Sequence, residues 1–382
     1  MKSKIFKQLE NVKFGYLVIK TPCENEIDIG DKNSELKADI TIKDWEMLDL
    51  VMLKGDIGLG ESYIRDLFTT SKIENLLLFI CHNQKELESL FHGKTLYSLF
   101  FLIKNIFKRN SLKGSKKNIQ YHYDLGNDFY SLWLDDTMSY SSGIFYKEES
   151  LRESQINKYQ RILGELNSNG LNILEIGCGW GGFIKEASKE GYKVKGLTLS
   201  HEQKAYSDKL ILANNLSSEI ALQDYRLERN KYDNIVSIEM FEAVGRKYWD
   251  GYFSKIKDCL KENGRAVIQT IVIADEFYSK YLKTSDYIRE YIFPGGFLPS
   301  PNIMHNLAKK HGLKVINEMN FGYSYAKTLI KWLEKFDEEK KSILELGYSE
   351  EFIRKWRFYL AYCAASFNVN RTDVIQYTLT HE

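Results

Sequence analysis

The chain has 382 residues, enough for two domains, and its 43% apolar and 27% charged residues exclude a largely disordered protein. Its 53 basic and 52 acidic side chains give a formal net charge of +1, so no global field directs it to nucleic acid. Five scattered cysteines, with no CxxC pair and no Cys/His cluster, argue against a disulfide framework and a zinc site. The N-terminus lacks the apolar core of a signal peptide and no apolar run is long enough to span a bilayer, so we expect a cytoplasmic protein.

Residues 1–112 have the pattern of a small mixed α+β domain. The predicted elements are strands over 14–20 and 31–42, a glycine turn at 55–60, a helix over 62–68 and a helical stretch over 73–107. Residues 104–118 then carry six basic side chains and no acid, directly after an apolar run. This basic stretch is either a solvated linker or a patch for anionic lipid head groups. The sequence leaves both interpretations open.

Residues 113–382 form the second predicted domain, in which strands and helices alternate from about residue 150. Such alternation is typical of a wound α/β fold. Gly191 is a natural end for one helix, and Ser200 with Gln203 predicts a capping box at the start of the next. The predicted strands lie at 171–176, 193–199, 220–222, 234–238, 265–271, 313–320 and 374–379. We therefore predict a seven-stranded, Rossmann-like α/β sheet.

A glycine turn, EIGCGWGG at residues 175–182, closes the first of these strands and opens a helix. Glycines let the backbone turn tightly and approach a ligand, and a helix N-terminus favours a carboxylate or phosphate. A nicotinamide site would need GxGxxG and an acidic residue about 20 positions on. The next strand ends in GLTLS at 196–200, without an acid. The turn has instead the E/DxGxG form that S-adenosylmethionine (SAM) methyltransferases use.

Five segments in chain order resemble the cyclopropane-fatty-acyl-phospholipid synthase family, which includes the mycolic acid methyltransferases and cyclopropane synthases. The segments are YHYDLGNDFYSLWLDDTMSYSSGIF (121–145), LEIGCGWGG (174–182), VKGLTLSHEQ (194–203), SIEMFEAVG (237–245) and YIFPGGFLPS (291–300). The motif GDIGLGES is similar to the smaller domain of the longer bacterial members. The resemblance implies a SAM-dependent methyltransferase fold, a membrane lipid substrate and a homodimer.

The resemblance also implies a reaction on unsaturated phospholipid acyl chains. The alkene attacks the sulfonium methyl of SAM and leaves a carbocation on the chain. In ring-forming members a bound bicarbonate then takes a proton from the new methyl group, and the ring closes. Such chemistry needs an apolar acyl tunnel and aromatic faces near the cation, and the 14% aromatic content is consistent with both.

SAM contacts are carried over by the resemblance to matching positions. Tyr140 and Ser141 correspond to a pair that closes over the cofactor. The remaining positions are Glu175, Gly177, Gly179 and Gly181 around the methionine part, Thr198, Leu199 and Gln203 on the ribose side, and Asp224 and Tyr225 at the adenine edge. Plain loop capping is the alternative for the last two.

The bicarbonate site implied by the resemblance departs from the family pattern at two positions. Glu242, Tyr325 and the amide of Ile271 match, whereas Ser142 occupies the Cys position and Gln269 the His position. Both replacements keep a hydrogen-bond donor but cannot carry positive charge, so the anion loses one charge-assisted partner. Three outcomes stay open: bicarbonate binds as before, Glu242 is itself the base, or deprotonation elsewhere gives a methylene or methyl-branched chain.

We therefore expect a cyclopropane synthase-like enzyme at the inner face of the membrane. The alternatives are an acyl C-methyltransferase that makes no ring, a small-amine N-methyltransferase on the same scaffold, and a lipid-binding protein with a vestigial SAM site. The intact glycine turn and Glu242 argue against the last.

Overall fold

The computed structural model describes residues 8–91 and 125–382, which divide into two compact units. The first unit combines residues 8–91 with 280–292 and 329–371, and the second holds 125–279, 293–328 and 372–382. The units are therefore interleaved along the chain. The domain boundary predicted at 112/113 and the basic stretch at 104–118 lie outside the described residues.

The strands and helices are numbered in chain order. The strands are β1 Tyr16–Lys20, β2 Glu26–Gly30, β3 Lys37–Ile42, β4 Phe68–Thr69, β5 Asn172–Ile176, β6 Lys193–Thr198, β7 Glu219–Leu222, β8 Tyr232–Ile238, β9 Leu260–Ile273, β10 Leu313–Asn320 and β11 Thr372–His381. The helices are α1 Glu46–Lys54, α2 Asp56–Ile64, α3 Ile73–His82, α4 Gln84–Phe91, α5 Gly126–Trp133, α6 Leu151–Glu165, α7 Gly182–Lys189, α8 His201–Ala213, α9 Trp249–Cys259, α10 Asp275–Tyr281, α11 Pro301–Lys310, α12 Gly322–Glu338, α13 Lys340–Glu345 and α14 Glu350–Asn368. A π-helical segment, Ile288–Ile292, lies between α10 and α11 in sequence.

The first unit contains, within its described residues, a four-stranded sheet of order β2-β1-β3-β4. β1 pairs in parallel with β3, while β2 and β4 are antiparallel edge strands. The strand predicted at 14–20 is confirmed as β1. The strand predicted over 31–42 is confirmed only in its second half, as β3, whose alternate residues are buried.

The glycine turn predicted at residues 55–60 is wrong, because Gly58 and Gly60 lie inside α2. A Cβ on Gly58 would come within 2.0 Å of the Leu50 carbonyl oxygen, and one on Gly60 within 2.3 Å of the Tyr287 ring. Both glycines thus allow close helix packing within the first unit. Only Gly55, with φ +63°, marks the break between α1 and α2.

The second unit holds, in the described part of the chain, a seven-stranded sheet of order β10-β11-β9-β8-β5-β6-β7. The strands from β9 to β7 are parallel, and β11 and β10 complete the sheet in antiparallel fashion. The predicted seven-stranded α/β fold is therefore confirmed. The central strands are buried on both faces because α9 and α11 contribute to one apolar core and α6 and α7 to another.

The order of the strands reverses between β5 and β8, since β5 is followed along the chain by β6 on one side and later by β8 on the other. In open α/β sheets, ligands bind at the carboxyl ends of the strands beside such a reversal. The loops after β5 and β8 carry the glycine turn and the segment EMFEAVG, so the fold places two of the sequence motifs at that edge. Among the described residues, no helix is both long enough and apolar enough to cross a membrane.

Candidate active site

A cavity of about 160 Å³ lies at the carboxyl ends of β5, β6 and β8. Ten of the eleven residues predicted to contact SAM line it, all of them within the described second unit; they are Tyr140, Ser141, Glu175, Gly177, Gly179, Thr198, Leu199, Gln203, Asp224 and Tyr225. Gly181 is the exception. Its Cβ would face Leu210 and Ser207 of α8 at 3.2–3.4 Å, so this glycine serves helix packing.

Three glycines of the glycine turn have a left-handed backbone conformation. Gly177, Gly179 and Gly181 have φ values of +84°, +52° and +85°, which residues with a Cβ rarely adopt. The backbone N–H groups of Gly177 and Cys178 both donate to the carbonyl of Leu197 at 3.0 Å, which fixes the turn against the end of β6. A Cβ on Gly179 would meet nothing within 4 Å. The turn therefore leaves open space beside Gly179 on the cavity wall.

Glu175, the last acidic residue of β5, is 2% exposed and lines the cavity. Its Oε2 atom is buried and has no hydrogen-bond partner among the described residues. Burial raises the pKa of this carboxyl to about 8, against an opposing effect of the Lys158 ammonium. An unpartnered acid that faces a cavity is suited to a cationic ligand, and SAM carries both an ammonium and a sulfonium group. The residues present therefore fit SAM.

Asp224 and Tyr225 line the cavity but also have local roles. The Asp224 carboxylate accepts a hydrogen bond from the backbone N–H of Arg226 at 3.0 Å and pairs with its guanidinium at 2.6–2.8 Å. The Tyr225 ring packs edge-on against Tyr252, with centroids 5.6 Å apart. The capping interpretation of Asp224 is thus present in the structure alongside its position on the cavity wall.

Thr198 and Gln203 are hydrogen-bonded to each other. The Thr198 hydroxyl donates to Gln203 Oε1 at 2.8 Å, and the Ser200 hydroxyl accepts from the Gln203 backbone N–H at 3.2 Å. Ser200 therefore caps α8 as predicted, but the predicted capping box is incomplete. The Gln203 side chain bonds to Thr198, and the Ser200 N–H donates to the Thr198 hydroxyl at 3.1 Å. Both bonds hold the end of β6 rigidly against the cavity.

The residues predicted to bind bicarbonate converge on a side chain that the sequence did not single out, Glu239. Its Oε1 accepts hydrogen bonds from the Ser142 backbone N–H at 2.8 Å and from Gln269 Nε2 at 2.7 Å. Its Oε2 accepts one from the Tyr325 hydroxyl at 2.6 Å. Glu239 also lines the cavity. We refer to Glu239, Ser142, Gln269 and Tyr325 as the carboxylate cluster.

Ser142 enters this cluster through its backbone only. Its hydroxyl, which was expected to take the place of the family's Cys, donates to the Gly143 carbonyl at 2.9 Å. Gln269 does donate through its side chain. Its Oε1 accepts from Gln376 Nε2 at 2.9 Å, and Gln376 Oε1 accepts from Arg161 at 2.5 Å. This relay orients the Gln269 amide with its NH₂ group toward Glu239.

Glu242 and Ile271 form a neighbouring contact. The Ile271 backbone N–H donates to Glu242 Oε1, which also accepts from the Thr270 hydroxyl at 2.9 Å. Burial, with repulsion from Glu239, raises the pKa of Glu242 to about 8. Neither Glu242 nor Ile271 lines the cavity. The amide expected on an external anion is therefore already used by a side chain.

Glu239 has a strained backbone conformation and lies near a buried lysine, Lys158. Its φ of +49° is unusual for a residue with a Cβ and costs about 1–2 kcal/mol. Burial raises its pKa, while the Tyr325 hydrogen bond and the Lys158 ammonium oppose that shift. Lys158 is itself fully buried and donates to Ser141 Oγ and Gln155 Oε1, both at 2.6 Å. Burial lowers the pKa of Lys158 to about 8. A buried lysine and a buried carboxyl group thus lie close to the predicted cofactor site.

Aromatic rings form one wall of this region. Tyr140 lines the cavity and packs against Tyr130 and Trp133, with centroids 5.4 and 5.6 Å apart. The ring centroids of Trp180 and Tyr130 are 5.0 Å apart, and the Trp180 indole N–H donates to Asn127 Oδ1 at 2.7 Å. These faces exclude water from one side of the cavity and can stabilise a desolvated cation.

Comparison with known proteins agrees with this geometry. The family model of mycolic acid cyclopropane synthetase matches residues 110–377. The chain is 33% identical to the cyclopropane-fatty-acyl-phospholipid synthase of Escherichia coli, over 90% of this chain and 88% of that protein. It is also 33% identical to the tuberculostearic acid methyltransferase UfaA1 of Mycobacterium tuberculosis, over 86% of this chain and 79% of that one.

A solved structure of mycolic acid cyclopropane synthase CmaA1, in complex with SAH and CTAB, superposes with a TM-score of 0.65. It shares 33% identity, and the match covers 69% of this chain and 97% of that one. The cavity at the strand reversal, the glycine turn and these matches lead to one conclusion. The chain belongs to the mycolic acid cyclopropane synthetase family and is a SAM-dependent methyltransferase of the cyclopropane synthase type.

Proposed function

We propose that this enzyme transfers the methyl carbon of SAM to the double bond of an unsaturated phospholipid acyl chain and closes a cyclopropane ring. The observation that carries this proposal is the adjacency of two features in the second unit. The cavity lined by the predicted SAM contacts shares Glu239 with the carboxylate cluster. A methyl donor site and a buried base side by side are what alkene methylation followed by proton loss requires. The cyclopropane-fatty-acyl-phospholipid synthase of E. coli, 33% identical, supports the choice of lipid.

Bound SAM would supply an electrophilic methyl group on a sulfonium, which the alkene π-electrons attack to leave a carbocation on the acyl chain. Glu175 compensates the positive charge of the cofactor, and the turn at Gly177 and Gly179 gives it room. The buried Glu239 carboxylate stabilises positive charge on the substrate because it acts at low dielectric in a preorganised position. The rings around Tyr140 keep water, which would trap the cation, away from one side.

A second candidate is an acyl C-methyltransferase whose product is a methylene or methyl-branched chain. The observation in its favour is the 33% identity to tuberculostearic acid methyltransferase UfaA1 over 86% of this chain. The replacement of a cationic side chain by Gln269 also leaves the fate of the carbocation open. The small-amine alternative has less support, since the relatives of similar identity are named for lipid substrates.

Access to a membrane lipid is part of the proposal. We infer that the protein acts at the inner face of the membrane and binds anionic lipid through the basic stretch, whose basic residues are Lys104, Lys108, Arg109, Lys113, Lys116 and Lys117. Each basic residue near such a surface contributes about 1 kcal/mol. Replacement of these lysines by glutamate should weaken liposome binding and leave SAM binding intact. Unchanged liposome binding would rule out this role. A homodimer, which the resemblance implies, can be tested by sedimentation of the same preparation.

The test of the reaction uses purified protein, unsaturated phospholipid vesicles and SAM with a CD₃ group, followed by mass spectrometry of the acyl esters. Two deuteriums in a product inert to mild hydrogenation indicate a ring. Two deuteriums in a product that takes up hydrogen indicate an exocyclic methylene, and three indicate a methyl branch. Vesicles of saturated phospholipid are the control and should remain unlabelled.

Two further results would overturn the lipid proposal. Absence of label in lipid while SAM binds would favour an amine substrate. Absence of SAM binding by calorimetry would exclude every methyltransferase version and leave a lipid-binding protein.

A further inference from the structure

We propose that Glu239 itself accepts the proton that the substrate carbocation releases, so that the reaction needs no bicarbonate. The inference rests on the proposed function, since it assigns a base within that reaction. Glu239 was not among the site residues predicted from the sequence. Its role is inferred from its hydrogen bonds in the carboxylate cluster.

The first argument is that hydrogen-bond donors of the predicted anion site already bond carboxyl groups of this chain. The Ser142 N–H, the Gln269 amide and the Tyr325 hydroxyl all donate to Glu239 at 2.6–2.8 Å. The remaining donor of the predicted anion site, the Ile271 N–H, donates to Glu242. Four donors at the predicted anion site thus bond carboxyl groups of this chain. A bicarbonate would have to displace Glu239 from three of them.

The second argument is the backbone of Glu239. Its φ of +49° lies in the left-handed region, where glycine is the unstrained residue. Strained backbone of this kind persists when surrounding contacts hold it, and it clusters at functional sites. Here three donors from separate parts of the second unit hold the side chain in place. The strained conformation carries a carboxylate into the position that the donors define.

The third argument separates Glu239 from Glu242. Glu239 lines the cavity in which the predicted SAM contacts meet, whereas Glu242 does not. Burial, with repulsion from Glu239, raises the pKa of Glu242 to about 8, which favours its neutral form at pH 7. Glu239 accepts hydrogen bonds from three donors, and Lys158 opposes the rise in its pKa that burial causes. Glu239 is therefore the hydrogen-bonded carboxyl group that lies beside the reacting region.

The proton transfer balances without another reagent. One oxygen of the Glu239 carboxylate takes H⁺ from the newly added methyl group of the carbocation. The electron pair of that C–H bond becomes the last C–C bond of the ring, and the cation is neutralised. A methylene product would need a 1,2-hydride shift that moves the cation to the methyl-bearing carbon before the same proton is lost. Glu239 is left as a neutral carboxyl and returns its proton to water after the product leaves. The base can be weak because the carbocation is a very strong acid.

Three variants test the assignment. Glu239→Gln keeps the shape but removes the base, and Glu239→Gly removes the side chain and relaxes the left-handed backbone. The matched control is Glu186→Gln, because Glu186 is a buried acid of the same unit that pairs with Lys189 and does not line the cavity. Each protein is assayed with CD₃-labelled SAM and unsaturated vesicles, in buffer freed of CO₂ and in buffer with added bicarbonate. Binding of ¹³C-bicarbonate is followed by NMR on the protein without SAM.

We expect the wild type and Glu186→Gln to be equally active with and without bicarbonate. Glu239→Gln should lose the two-deuterium product by on the order of 10²-fold or more, the usual contribution of a positioned base. Glu239→Gly should regain activity when bicarbonate or formate is added and should bind ¹³C-bicarbonate, which the wild type should not. Such rescue would not repair a merely structural defect.

The inference is overturned if wild-type activity requires bicarbonate, if Glu239→Gln keeps the wild-type rate and product, or if the wild type binds ¹³C-bicarbonate as well as Glu239→Gly does. Absence of lipid labelling by every protein, with SAM still bound, would instead overturn the proposed function. The NMR comparison would still report whether Glu239 occupies an anion site.

Discussion

The unpartnered carboxyl of Glu175 predicts that SAM binding releases a proton. Burial raises the pKa of Glu175 to about 8, so the group is about 90% protonated at pH 7 in the free protein. Its Oε2 has no partner among the described residues, and Glu175 lines the cavity. A cationic ligand there favours the ionised form, because an opposite charge at close range lowers a carboxyl pKa by about 1–3 units.

The magnitude follows from these two pKa values. If the bound carboxyl has a pKa lowered by about 2, to about 6, the protonated fraction at pH 7 falls from about 0.9 to about 0.1. Binding at pH 7 should therefore release about 0.8 proton from Glu175. The free carboxyl must lose its proton to bind, so the affinity rises as the pH increases through its pKa. Between pH 7 and pH 9 the gain is about tenfold, or about 1.4 kcal/mol.

The assay is calorimetric titration of SAM in buffers of different ionisation enthalpy, which gives the number of protons released. The α-amino group of SAM titrates near pH 8 as well, so the Glu175→Gln variant is the control. The difference between wild type and variant isolates Glu175. Lys158→Met should move the proton release to higher pH, because the Lys158 ammonium lowers the pKa of Glu175 in the wild type. Equal proton release by wild type and Glu175→Gln would refute the reasoning.

Two further substitutions test other parts of the site. Gly177→Ala should lower Tm by several degrees and weaken SAM binding, since its φ of +84° costs about 1–2 kcal/mol and its Cβ would lie 2.8 Å from Met240 Cγ. Gly191→Ala, with the same φ and nothing within 4 Å, should lower Tm but retain SAM affinity in the same titration. Gln376→Leu should cost about 1–3 kcal/mol in urea unfolding and reduce turnover while SAM still binds, because it leaves the buried Gln269 carbonyl without its donor. Unchanged turnover in Gln376→Leu would show that the relay does not position the Gln269 amide.

The seven-stranded sheet could be predicted from the sequence because its signals are local. Each central strand is a short apolar run followed by a turn or a helix cap, and Ser200 caps α8 as its sequence indicates. The prediction failed where packing overrides local preference. The segment that contains Gly58 and Gly60 is rich in glycine, as turns often are. Both glycines nevertheless lie in α2, where a Cβ would collide with Leu50 and Tyr287. Tyr287 is far from these glycines in the sequence. A local sequence pattern therefore cannot show that α2 needs glycine at these positions.

The candidate site could likewise be predicted only in part. Tyr140, Glu175 and Thr198 could be placed on one cavity because each lies in a motif at the end of a strand or in a recognised segment. Ser142 lies in the carboxylate cluster, but nothing in the sequence indicated that its backbone rather than its hydroxyl would bond Glu239. Lys158 was missed because a lysine in the middle of a polar helix is usually exposed, whereas here it is fully buried.

Glu239 was the residue hardest to predict, and the reason is physical. Its partners Ser142, Gln269 and Tyr325 are 97, 30 and 86 residues away, so only the folded sheet brings them together. Its backbone conformation favours glycine, and a glutamate there costs about 1–2 kcal/mol. A base tethered at this point is present in every molecule in one geometry, whereas a bound anion is present only in the fraction that its concentration allows. If Glu239 is the base, the left-handed backbone is the structural cost of independence from dissolved bicarbonate, and the Glu239→Gly variant should acquire that dependence.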